Sequence, residues 1–188
     1  NGDYPDTARG NWSEGLTNFM ADYAYRERAS REAASAMRLA WLRDFAAMPP
    51  GDDAPLARFS SRTHGASQIV GYNKSAMLFY MLRDVVGEAA FDEGVRGFWS
   101  AHRFRVASWD DLRGAFERAS GKDLAGFFAQ WLERTGAPGL RIANGKRRRY
   151  RPGDARLRAI QFERGSAVIV GPFELLPIIG DNASRDHA

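Results

Sequence analysis

Apolar residues recur at three- and four-residue steps through most of the chain up to Leu132. That spacing keeps them on one side of an α-helix. Leu16, Phe19, Met20 and Tyr23 form the first such stripe, in a helix predicted to run from Asn11 to about Arg28. Ala34, Met37, Trp41 and Phe45 form the second, capped by Ser30 and stopped at Pro49-Pro50-Gly51. A polar connection over 51–66 separates these from a third helix, about Ser67 to Val86. Tyr72, Ala76, Phe79 and Arg83 share one of its faces, and Gly87 is placed to end it.

The fourth helix spans Glu88 to His102, with Phe91, Val95, Phe98 and Trp99 inward. Ser108 and Asp111 have the spacing of a capping box before Leu112, Ala115, Phe116 and Ala119. Asp123 opens the last helix, where Leu124, Phe127, Phe128, Trp131 and Leu132 keep the rhythm until Gly136 and Pro138. The fold class is therefore mainly α, about six packed helices without a constant repeat period. Beyond Pro138 the pattern changes. Leu140–Ile142 and Ala167–Val170 read as short strands on either side of the basic run Lys146–Arg151. The division expected is a helical part over 1–138 and a short strand-containing or irregular basic tail over 139–188.

Charge sharpens that division. The net charge is +4, yet residues 141–188 alone hold ten Lys or Arg against five Asp or Glu. The first 140 residues are close to neutral. Only Lys74, Lys122 and Lys146 are lysine, so arginine supplies nearly all the positive charge. The basic run has Tyr150 as its one aromatic and no recognition helix beside it, so it reads as a solvated turn and not as a nucleic-acid module. There is no cysteine, which excludes disulfides and thiolate metal sites. No stretch is apolar for long enough to form a transmembrane helix, and residues 1–6 lack the features of a signal peptide.

Two short motifs bear chemistry. In Gly10-Asn11-Trp12-Ser13-Glu14-Gly15, Asn11 reads as an N-cap with Glu14 at the third helical position, and by spacing alone Glu14 completes a capping box. In Gly71-Tyr72-Asn73-Lys74-Ser75, Tyr72 read alone is a packing residue with its hydroxyl at the surface. Lys74 lies on another face, where it pairs with an acid or lines a cleft, and takes no catalytic role. His64 reads as a loop residue and His102 as structural. With His187 they are the only histidines, and no H-E-x-x-H occurs.

In order and spacing, these motifs resemble the aminopeptidase-N-like zinc metallopeptidases, the gluzincins. The resemblance extends over about residues 8–142 and includes Met77–Asp84, Ala119–Leu124 and Gly136–Leu140. It implies the C-terminal helical part of a thermolysin-like catalytic domain. Glu14 would be the third zinc ligand, beside two histidines expected upstream of Asn1. Tyr72 would donate a hydrogen bond to the oxyanion, with Ser75 standing where the family more often has glycine. The cofactor implied is zinc, and the substrate a peptide cleaved at its N-terminus. Bacterial members are often exported, which is the localisation the resemblance suggests. With one ligand of the three a hydrolytic zinc needs, the chain alone is expected to be inactive. The competing reading is a non-catalytic helical module of the same fold that binds peptides or proteins.

Overall fold

A computed structural model of the chain describes residues 4–49 and 51–136. The expected strands over 140–142 and 167–170, the basic run and His187 lie outside the described residues. Among the described residues six longer helical stretches follow one another, as the apolar spacing predicts, with short 3-10 turns at Thr7–Arg9 and Leu56–Arg58. The first is α1 (Ser13–Thr17), a π-helical turn π1 (Asn18–Tyr23) and α2 (Ala24–Ala29), run together. Next comes α3 (Arg31–Ala47), whose N-cap Ser30 accepts the Ala33 amide at 3.0 Å. The third stretch is α4 (Gly65–Gln68), a second π turn π2 (Ile69–Lys74) and α5 (Ser75–Val86). Then follow α6 (Glu88–His102), α7 (Trp109–Ser120) and α8 (Ala125–Leu132). The Ser108–Asp111 capping box forms as predicted, with each side chain bonded to the other's backbone amide.

The core is a run of aromatic contacts between these helices. Phe19 of π1 meets Phe91 of α6 edge to face at 5.5 Å. Phe91 stacks on Phe116 of α7 at 5.1 Å, and Phe79 of α5 stacks on Trp109 at 5.7 Å. Phe79 and Phe116 are fully buried. Removing each such ring from water contributes about 1.5–3 kcal/mol.

Outside the helices there is a short strand pairing. A parallel bridge joins β1 (Tyr4–Pro5) to β2 (Val106–Ala107), two residues each. Trp12 fastens the start of α1 to the same place, donating from Nε1 to the Ala107 carbonyl at 2.8 Å and meeting Phe98 edge to face at 5.0 Å.

Candidate active site

Glu14 and Tyr72 come together. The Glu14 carboxylate lies near enough to the Tyr72 phenol to raise its pKa, although the two residues stand on different helical stretches. What places them is a crossing of α1 over the start of α5 with no room to spare. A Cβ on Gly15 would lie 1.9 Å from Ser75 Oγ, so only glycine permits that approach. The Ser75 hydroxyl is fully buried there without a hydrogen-bond partner among the described residues.

The capping expectation at Glu14 is corrected by the structure. Asn11 Oδ1 accepts from the Ser13 amide at 2.9 Å and from Ser13 Oγ at 2.7 Å, and the helix starts at Ser13. Glu14 is then the second helical residue, one short of the capping-box position. Its carboxylate faces Tyr72 instead of its own backbone.

The loop before π2 supports both residues. The Phe59 carbonyl accepts from the Asn11 amide at 2.6 Å, and Asn11 Nδ2 donates to the Ser60 carbonyl at 3.0 Å. The Phe59 ring meets Tyr72 edge to face at 6.2 Å and lies so close to Gly71 that a Cβ there would fall 2.1 Å from it. Burial raises the Tyr72 phenol above its ordinary range, and the Glu14 contact adds to that, while Arg62 opposes it. The phenol therefore stays protonated, and remains a donor, at neutral pH.

Lys74 is held on the far side of π2. It pairs with an acid, one of the two options its position left open. Nζ lies 3.4 Å from Asp53 Oδ1, 3.4 Å from the Ala54 carbonyl and 3.3 Å from the Arg134 carbonyl. It also sits 5.6 Å from the centre of the Phe45 ring. Burial lowers its pKa and Asp53 works against that. Asp53 Oδ2 accepts from the Gly136 amide. Next to Lys74, Asn73 donates to Asp44 at 3.0 Å. Sequence spacing had not singled out Asn18 or Phe59. Asn18 is buried in π1 and donates from Nδ2 to the Tyr72 carbonyl at 3.3 Å. No periodic signal marks either residue, since each matters through a contact distant in sequence. His64 is the N-cap of α4, where Nδ1 accepts the Ser67 amide at 3.3 Å, and His102 stacks on Phe98 at 5.2 Å.

Among the described residues, no three His, Asp or Glu side chains gather as a metal-binding group. Glu14 fits a zinc centre as one carboxylate donor facing a neutral phenol. One carboxylate beside one phenol is not a complete metal site.

Known proteins share both sequence and fold with this chain. Residues 59–131 match the Peptidase family M1 domain. Aminopeptidase N of Lactococcus lactis subsp. lactis is 37% identical over 67 residues, 36% of this chain and 8% of the relative. Aminopeptidase N of Streptomyces lividans is 39% identical over 72 residues, 38% of this chain and 8% of that protein. The fold is like that of an M1 zinc metallopeptidase mutant from Deinococcus radiodurans solved with a Tyr-Ser-Ala substrate. The TM-score is 0.55 at 22% identity, over 71% of this chain and 29% of that one. The matched stretch is thus a small part of each relative. Residues 59–131 of this chain thus resemble the M1 peptidase domain and the matching stretch of aminopeptidase N, within a helical fold like that of an M1 metallopeptidase.

Proposed function

We propose that this chain is part of a zinc aminopeptidase, with Glu14 as a zinc ligand and Tyr72 as the donor to the substrate oxyanion. The observation that carries this reading is the proximity of the Glu14 carboxylate to the Tyr72 phenol, close enough to raise the phenol's pKa, where α1 crosses the start of α5 at Gly15 and Ser75. Two side chains distant in sequence meet there, and they are the two types that peptide hydrolysis requires. When bound, zinc supplies Lewis-acid polarisation and lowers the pKa of water from 15.7 to about 7. Glu14 would hold it together with donors outside this chain. Tyr72, kept neutral by its surroundings, donates its proton in a hydrogen bond to the carbonyl oxygen as charge builds on it. The substrate class is peptides cleaved at the N-terminal bond. The family often being exported, a periplasmic or extracellular setting goes with this reading.

The test uses the zinc-loaded full-length protein, with metal content and aminoacyl-arylamide hydrolysis as readouts. Glu14→Ala should lose bound zinc. Tyr72→Phe should keep zinc and lose turnover by about two to three orders of magnitude. Full zinc occupancy in Glu14→Ala would sink the ligand assignment, and wild-type turnover in Tyr72→Phe the oxyanion assignment. The 188-residue chain by itself should show no zinc-dependent turnover. A full-length protein that binds peptides, holds no zinc and hydrolyses nothing would establish the non-catalytic module instead.

A further inference from the structure

We propose that Asn18 is a positioning residue for Tyr72, setting where the phenol stands by holding the backbone beneath it. The inference rests on the peptidase reading and adds a residue to it. Asn18 lies four residues after Glu14, so both project from the same side of one continuous helical stretch. The Glu14 carboxylate stands near the phenol of Tyr72, and Asn18 donates to its main-chain carbonyl at 3.3 Å. Side chains one turn apart thus address the two ends of the same tyrosine, the carbonyl end by a hydrogen bond.

The carbonyl that Asn18 reaches is in the π2 turn, where backbone bonding is irregular. The Ser75 amide is shared between the Tyr72 and Val70 carbonyls. Such wide single turns interrupt the regular ladder and recur at functional sites. The carboxamide of Asn18 adds a bond from outside the helix at that point. Asn18 is 8% exposed, so water competes little for the donor. Only the amide nitrogen can serve a carbonyl, so a carboxylate or an apolar group of the same size cannot replace it. Lys74, gripped from the opposite side, fixes the back of the same turn. Between them the π2 backbone has little freedom to carry the phenol away from Glu14.

The experiment has two arms. In the first, the 188-residue chain is labelled with 3-fluorotyrosine and the fluorine resonance of Tyr72 is assigned by its loss in Tyr72→Phe. Asn18→Leu and Asn18→Asp should each shift or split that resonance, leave the other tyrosines in place, and Asn18→Gln should restore it. A Tyr72 resonance unmoved in both donor-less variants overturns the proposal. Collapse of all the tyrosine resonances in both does the same, because Asn18 would then serve the fold and not one side chain. In the second arm, the zinc-loaded full-length protein should lose about tenfold in kcat in Asn18→Asp, with KM unchanged and zinc retained. An unchanged kcat, or a loss confined to KM, overturns it too. If the wild-type protein neither binds zinc nor turns over, the peptidase reading fails and takes this role with it. The fluorine arm still reports separately whether Asn18 governs the tyrosine.

Discussion

The helical stretch from Ser13 to Ala29 carries a glutamate near each end, and each glutamate meets a tyrosine. At the far end Glu27 is saturated. Arg83 grips it through both guanidinium nitrogens at 2.8 and 2.7 Å, and the Tyr23 hydroxyl donates to it at 3.1 Å. Arg38 in turn donates to Tyr23 and lies over the Tyr80 ring at 4.7 Å. At the near end Glu14 has the Tyr72 phenol and, among the described residues, no ion pair. The lesson is one of unused capacity. A carboxylate already matched to a guanidinium gains little from a metal, whereas one that faces only a neutral phenol keeps lone pairs for an incoming cation. The same two residue types therefore brace the fold at one end and, under the proposed function, are left free to take a ligand at the other.

The largest effect should come from the point that joins the two halves of this contrast. Gly15→Ala forces α1 away from Ser75, and urea denaturation should show a loss of about 3 kcal/mol. A loss below about 1 kcal/mol would mean the crossing yields easily. Next, Glu27→Gln should cost about 2 kcal/mol, since Arg83 keeps a half-buried charge without its partner. Glu14→Gln should stay within about 0.5 kcal/mol. Equal losses in the two variants would erase the distinction drawn here.

Titration sharpens it further. Hydrogen bonds from Arg83 hold Glu27 below its ordinary range. A depressed acid stabilises the fold above its unfolded value, about 4.3, and that contribution fades as pH falls below it. Burial pushes Tyr23 up to about 12. Its contribution is whole below the unfolded value of about 10 and is lost as pH climbs from there to 12. Stability measured against pH should fall at both extremes, and Glu27→Gln should flatten the acid limb. An acid limb of unchanged steepness in that variant would detach the effect from Glu27. The smallest change should be Ser75→Ala. It removes a buried hydroxyl with no partner and should be neutral or stabilising by about 0.5–1 kcal/mol. A loss above about 1 kcal/mol would reveal a bond to Ser75 that the structure does not show.

The helices were legible because local rules and packing agreed. Ser30 and Ser108 cap where their spacing to the next polar residue says they should, and Phe91, Phe98, Phe116 and Phe128 are buried as their periodicity requires. The pattern failed inside π1. Met20 belongs to the apolar stripe at regular helical spacing, yet it is 45% exposed, because a wider turn rotates later residues out of phase. The motif residues Glu14 and Tyr72 were legible, but not what joins them. Asn18 to Tyr72 and Lys74 to Arg134 are contacts between segments whose sequences say nothing of each other. Nor did spacing reveal that the helix would start at Ser13, with Trp12 and not Asn11 as its N-cap, which leaves Glu14 one residue short of the capping-box position.

The tight meeting of Gly15 and Ser75 also marks the point about which the two rods would turn if they swivelled. At 1.5 Å of rise per residue, Glu14 stands about 1.5 Å along its rod from that point and Tyr72 roughly 4.5 Å, while Glu27 is about 18 Å out. If the rods swivel by ~5°, the outer end sweeps some ~1.6 Å and the inner pair less than ~0.4 Å. A rocking of the bundle about that point would move the outer end most and the backbone beneath Glu14 and Tyr72 least.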